Sequence, residues 1–182
     1  VTPTGFVPGT VYNWTSSNTA IGLAASGTGN IPSFVTTNTG NTPISSTITI
    51  TPTYTNGGVS CSGAPLTFTI TVNPIPNVNS INNQVICNGS TTTGVTFTGS
   101  VAGTVYNWSN TNAAIGLGTS GVGDIASFVT TNTTNATISG TITATPVYTN
   151  AGLGCTGAAT SFTIAVNPIP TVNAVANQTI CV

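Results

Sequence analysis

The chain repeats itself at a fixed offset of 94 residues, and that repeat constrains its fold more than any other feature. Val11-Tyr12-Asn13-Trp14 returns as Val105-Tyr106-Asn107-Trp108, and Val72-Asn73-Pro74-Ile75-Pro76 returns from Val166 to Pro170. Roughly three in five aligned positions are identical, without a gap. A long repeat in constant register is one folding unit duplicated, and the 182 residues divide into units of about the size of an immunoglobulin domain.

The two copies hold no Lys, Arg or His and a single acidic residue, Asp124. Acid–base catalysis needs titratable side chains placed to exchange protons, so this composition excludes ordinary enzyme chemistry. A formal net charge of −1 excludes binding to nucleic acid or anionic lipid by charge. Mean hydropathy is +0.33 because charges are missing. No run approaches the roughly 18 apolar residues that a spanning helix requires. Val1 reads as an internal position of a longer polypeptide.

Threonine, valine, isoleucine and aromatic residues favour pleated strands, whereas Gly, Asn and Pro mark turns. Ile44, Ser46, Ile48, Ile50, Pro52 and Tyr54 alternate with Ser45, Thr47, Thr49, Thr51, Thr53 and Thr55, which is the period of a strand with one face in a core. Its copy spans 138–149. A second strand carries Leu66, Phe68, Ile70 and Val72, with a copy at Phe162, Ile164 and Val166, and the intervening Gly/Asn-rich turn predicts a hairpin. Pro52 and Pro146 lack an amide hydrogen and predict a bulge or an edge position. Shorter strands are expected at 95–98, 105–108, 125–132 and 78–86. About seven strands per repeat suit an all-β fold of tandem Greek-key sandwiches.

The Pro74-Ile75-Pro76 joint reads as a short semi-rigid linker. It divides the chain into residues 1–75, a repeat without its first strand, 76–170, a complete repeat, and 171–182, the first strand of a following one. An uncharged open edge invites pairing, so the missing strand is expected from elsewhere.

At Tyr12-Asn13-Trp14 and Tyr106-Asn107-Trp108, at Ile21-Gly22-Leu23 with Gly29-Asn30-Ile31, at the Asn-Pro-Ile-Pro ending and at Asn83 to Gly89, the chain resembles PKD-like, immunoglobulin-like repeats. Such repeats build very large surface proteins of Bacteroidota, including gliding and adhesion filaments exported by type IX secretion. The resemblance implies a β-sandwich at the cell surface with a stalk, filament or adhesive role, and brings no catalytic residue.

The four cysteines form repeat-related pairs, Cys61/Cys155 and Cys87/Cys181. Their spacings fit no zinc site, and without histidine an activated thiol is not expected. Disulfides in an extracellular setting are the expected use. Cys87–Cys155 is preferred, which leaves Cys61 and Cys181 for neighbouring segments. The rival pairs Cys61 with Cys87 and Cys155 with Cys181. Asp124 is read as a turn cap, since calcium sites want several oxygens. Trp14, Trp108, Tyr54 and Tyr148 are expected as core aromatics. The threonine rows read as solvated strand faces, and most Asn-x-Ser/Thr sequons arise from composition.

These readings converge on a structural repeat that is not an enzyme, that needs no cofactor or metal, and that associates with copies of itself or adjacent repeats outside the cell. The alternative is an adhesin module that binds surface glycans through the irregular loops at 18–32 and 112–126.

Overall fold

The computed structural model describes residues 1–181 and is all-β, with its strands in two sheets. Two compact units emerge. One comprises Val1–Pro76 with Ser100–Gly103 and Tyr148–Thr156; the other comprises Asn77–Gly99, Thr104–Val147 and the residues from Gly157 onward.

The first sheet contains β1 (Val11–Ser16), β2 (Ser26–Thr28), β3 (Ile44–Asn56), β4 (Val59–Ser62) and β5 (Leu66–Val72). The second contains β6 (Gln84–Cys87), β7 (Val105–Asn110), β8 (Ser120–Val122), β9 (Ile138–Asn150), β10 (Leu153–Thr156) and β11 (Thr160–Asn167). Apart from β6, each strand of the second sheet matches one of the first at the 94-residue offset.

The alternation over 44–55 produces the long central strand β3. Its inward residues Ser46, Ile48 and Ile50 are buried, and its threonines face outward or lie half-buried. β1 pairs antiparallel along one edge of β3, with Trp14 opposite Ile50. Along the other edge β5 covers Ile44 to Ile50, and β4 covers Thr53 to Asn56. The two halves of that edge part at Pro52. A residue without an N–H cannot continue a ladder, so the pairing with β5 stops before it and that with β4 starts after it. The expected hairpin is therefore divided. β3 turns into β4 through Gly57-Gly58, both at positive φ, and β5 then runs back along the remainder of β3.

Expected strands at 95–98 and 125–132 form no ladder; single bridges join Val95 to Ile125 and Thr91 to Val129. Of residues 78–86, only the C-terminal end joins the strand β6, which runs parallel to β11. Residues 168–181 carry no strand.

Each unit has its own core. Trp14, Ile21, Leu23, Ile31, Ile48 and Ile50 fill the first. Val78, Val95, Phe97, Tyr106, Ile115, Ile125, Ile142, Phe162, Ile164 and Val166 belong to the second, which is larger.

Candidate functional site

The side chains able to do chemistry are dispersed. Among the described residues, no three His, Cys, Asp or Glu side chains gather where a metal ion could be held. Asp124 lies beside the backbone of 95–98, where the Phe97 N–H donates to its Oδ1 at 2.9 Å. In the first copy Pro3 replaces Phe97 and Asn30 replaces Asp124, so where the amide donor disappears the acidic acceptor does too.

Phe97 stacks on Tyr106, with ring centroids 5.6 Å apart. Burial, and to a lesser degree the Asp124 charge, raises the Tyr106 phenol above its ordinary value of 10.0. A folded-state pKa above the unfolded one favours folding fully below the unfolded value, and that contribution is lost as pH rises through the folded value. The melting temperature should therefore fall as pH climbs beyond about 10. In a pH series of thermal melts, Tyr106→Phe should remove part of that fall while keeping the ring stack. An unchanged alkaline limb in the variant would contradict this assignment.

No two of the four cysteines stand at bonding distance, so neither the expected Cys87–Cys155 disulfide nor the rival pairing forms within this chain. The reason is register. Cys87 lies opposite Asn167, next to the Val166–Ile138 pair at the start of β9, whereas Cys155 lies on β10, which turns back from the end of β9. A strand of 13 residues separates its ends by about 40 Å, while a disulfide needs Cα atoms within about 7 Å. Cys61 lies opposite Tyr54 on β4, and Cys181 is in the exposed segment that follows β11. Thiol titration of the native chain should return four thiols, and reductant should leave its melting temperature unchanged.

Trp14 is buried and Trp108 half-buried against its core. Trp14 lies directly opposite Gly27, and Trp108 directly opposite Gly121. Each indole covers its glycine so closely that a Cβ added there would overlap the ring. This arrangement accounts for the Ser-Gly pair kept in both copies, and it removes the ring face a stacked sugar would need. Neither indole N–H has a hydrogen-bond partner. Tyr54 and Tyr148 do not join the cores: Tyr54 is 39% exposed and Tyr148 half-buried. Both stand beyond the proline on the long strands, where β4 and β10 are narrow and mostly exposed and supply no apolar layer to cover a ring.

The loops at 18–32 and 112–126 each send a few apolar side chains into the core, while most of their residues are exposed. In each a 3-10 turn, Thr19–Ile21 or Ala113–Ile115, starts at an Asn whose side chain accepts from the second residue of the turn, and ends on a glycine near φ +97. That glycine approaches the backbone carbonyl of Val35 or Val129, a fit and a φ that L side chains do not tolerate. Ile21 and Ile115 are fully buried by the turn. These loops close the core.

One sheet edge differs between the units. In the second unit, β11 is flanked by β9 on one side and by β6 on the other, and Phe162, Ile164 and Val166 are buried. In the first, β5 pairs with β3 alone, and its counterparts Phe68, Ile70 and Val72 are only half-buried. A cleft of about 360 Å³ opens beside that edge, lined by Val1, Pro3, Tyr12, Pro52, Leu66 and Phe68. No charged side chain stands on β5 or its neighbours, so nothing on this edge repels an incoming strand. Neither a scan against protein-family models nor a search of curated proteins finds a match to the chain.

Proposed function

We propose that the chain is a structural repeat of an extracellular stalk or filament, made of tandem immunoglobulin-like (PKD-like) Greek-key sandwiches that associate with neighbouring copies or adjacent repeats. Its units lie at 1–75 and 76–170, with 171–182 opening a third, and it acts by mechanical continuity, without catalysis or a cofactor. The observation that carries this reading is the uncharged, half-covered β5 edge, whose counterpart in the second unit is occupied by a strand. Such an edge is a template for strand addition. With almost no charges, association driven by backbone pairing and apolar contact depends little on ionic strength. Sedimentation velocity and negative-stain electron microscopy over a rising concentration series test the proposal. Extended linear assemblies should form equally at low and high salt. A chain that stays monomeric up to millimolar concentration sinks the reading.

A further inference from the structure

The pair Asn-Gly occurs twice in the chain, at Asn56-Gly57 and at Asn88-Gly89. An asparagine carries an electrophile, its amide carbon Cγ, within reach of the next residue's backbone nitrogen. Glycine leaves that nitrogen least hindered, because no Cβ stands beside it. Hydrogen bonds to the side-chain amide or to that N–H hold the two groups apart. The structure treats the two pairs differently. Asn88 is half-buried, its Oδ1 accepts from the Asn132 N–H at 2.9 Å, and the Gly89 N–H donates to the Thr130 carbonyl at 2.9 Å. Both reacting groups are held.

Asn56 ends β3 opposite Val59, and Gly57-Gly58, at φ +56 and +80, make the tight turn into β4. Asn56, both glycines and every residue of β4 are exposed. Among the described residues, nothing bonds to the Asn56 side-chain amide or to the Gly57 N–H. A strand of four exposed residues opens at low cost, which lets the amide and the nitrogen reach each other. The repeat supplies its own comparison. The counterpart of Asn56-Gly57 is Asn150-Ala151, where a methyl group flanks the nitrogen and Asn150 Nδ2 donates to Asn73 Oδ1 at 2.8 Å.

We infer that Asn56 is a site of spontaneous conversion to isoaspartate, and that this conversion releases β4. The Gly57 nitrogen attacks Asn56 Cγ. A Cγ–N bond forms, the Cγ–Nδ2 bond breaks, and the proton of the Gly57 N–H departs with Nδ2 as ammonia. Water then opens the cyclic imide, giving aspartate by attack at Cγ and isoaspartate by attack at the main-chain carbonyl. No electron donor or acceptor is needed. Either product adds a carboxylate to a chain whose sole acidic residue is Asp124. In isoaspartate the main chain runs through Cβ and Cγ and is one carbon longer. A tight turn cannot absorb that carbon, so the register Asn56↔Val59, Thr55↔Ser60 and Tyr54↔Cys61 is lost. The ladders of β3 with β1 and β5 reach no further than Thr53 and Ile50, so they persist.

The test incubates the folded chain in mildly alkaline buffer and maps its chymotryptic peptides by mass spectrometry. A protein-isoaspartate methyltransferase with a labelled methyl donor marks the isoaspartate. Asn56 should convert about tenfold or more faster than Asn88, because it lacks the two hydrogen bonds that hold the latter pair. Gly57→Ala should slow the conversion, and the fold accepts it, since Ala151 takes the matching position at φ +49. Ala151→Gly should leave Asn150 slow, whereas Ala151→Gly with Asn73→Ala should release it. In the aged chain, amide exchange should quicken about tenfold or more at 59–62 and stay slow at 44–50. Freshly prepared Asn56→Asp, which carries the charge on a backbone of native length, should exchange at 59–62 like the parent. Equal rates at Asn56 and Asn88, or an Asn56 that survives in the folded chain while the denatured chain converts, would overturn the assignment. Isoaspartate at position 56 without faster exchange at 59–62 would overturn the release of β4.

Discussion

Gly121→Ala should destabilise the second unit by about 3 kcal/mol, although alanine is the smallest possible addition. Two effects oppose each other at this position. The φ of Gly121 is not positive, so alanine would lower the entropy of the unfolded chain and stabilise by about 0.4–1 kcal/mol. Against this, the new Cβ would lie 2.6 Å from Trp108 Cε2 and closer still to Cζ2. The ring is packed against the core, so it cannot retreat without opening contacts elsewhere. The steric term wins. For a unit of about 90 residues, 3 kcal/mol lowers the melting temperature by roughly 12–24 °C. Gly123→Ala is the control. Nothing lies within 4 Å of its would-be Cβ, but its φ is +75, so it should cost only about 1–2 kcal/mol through backbone strain. Trp108→Phe should relieve most of the Gly121→Ala penalty. A Gly121→Ala variant that melts within a degree or two of the parent would refute the ring-on-glycine account.

The same contrast separates what was legible in the chain from what was not. Periodicity located β3 and β9, because alternation over a dozen residues has one physical cause. β4 and β10 were missed because Val-Ser-Cys-Ser and Leu-Gly-Cys-Thr are short and barely amphipathic. They are strands only because the preceding glycine turn folds them onto the end of a longer one. The cysteine pairing failed for a related reason. Spacing along the chain does not say which end of β9 each sulfur approaches, and the parallel register of β6 carries Cys87 to the end away from Cys155. Tyr54 and Tyr148 continue the inward phase of their strands, yet alternation does not reveal where the covering layer stops. That β5 pairs with β3 alone is read from the ladders, because alternation within a strand does not say which neighbours it takes.

Gly140→Ser should cost about 2 kcal/mol alone and be largely repaired by Asn110→Ser, because the two copies solve one packing problem with different residue pairs. In the first unit Ser46 is fully buried. Its hydroxyl lies 2.8 Å from Ser16 Oγ and accepts from the Asn18 N–H at 3.1 Å. In the second unit those positions are Gly140 and Asn110, and Asn110 Oδ1 accepts from the corresponding Asn112 N–H at 3.1 Å. The longer amide has moved its oxygen into the space of the serine side chain, so a Cβ on Gly140 would overlap Asn110 Oδ1 and lie 2.7 Å from Ile115 Cδ1. Asn110→Ser alone should also cost about 2 kcal/mol, since Asn110 Nδ2 donates to the Asn112 and Leu117 carbonyls at 3.0 Å and the hydroxyl cannot reach both. Together the two substitutions rebuild the Ser16–Ser46 arrangement, and the double variant should lie within about 1 kcal/mol of the parent. The coupling, about 3 kcal/mol, is at the upper end for residues in direct contact. Denaturant unfolding of the four chains measures it. Additive costs, near 4 kcal/mol for the pair, would mean that the surrounding backbones differ between the copies and that the two pairs are not interchangeable answers to one constraint.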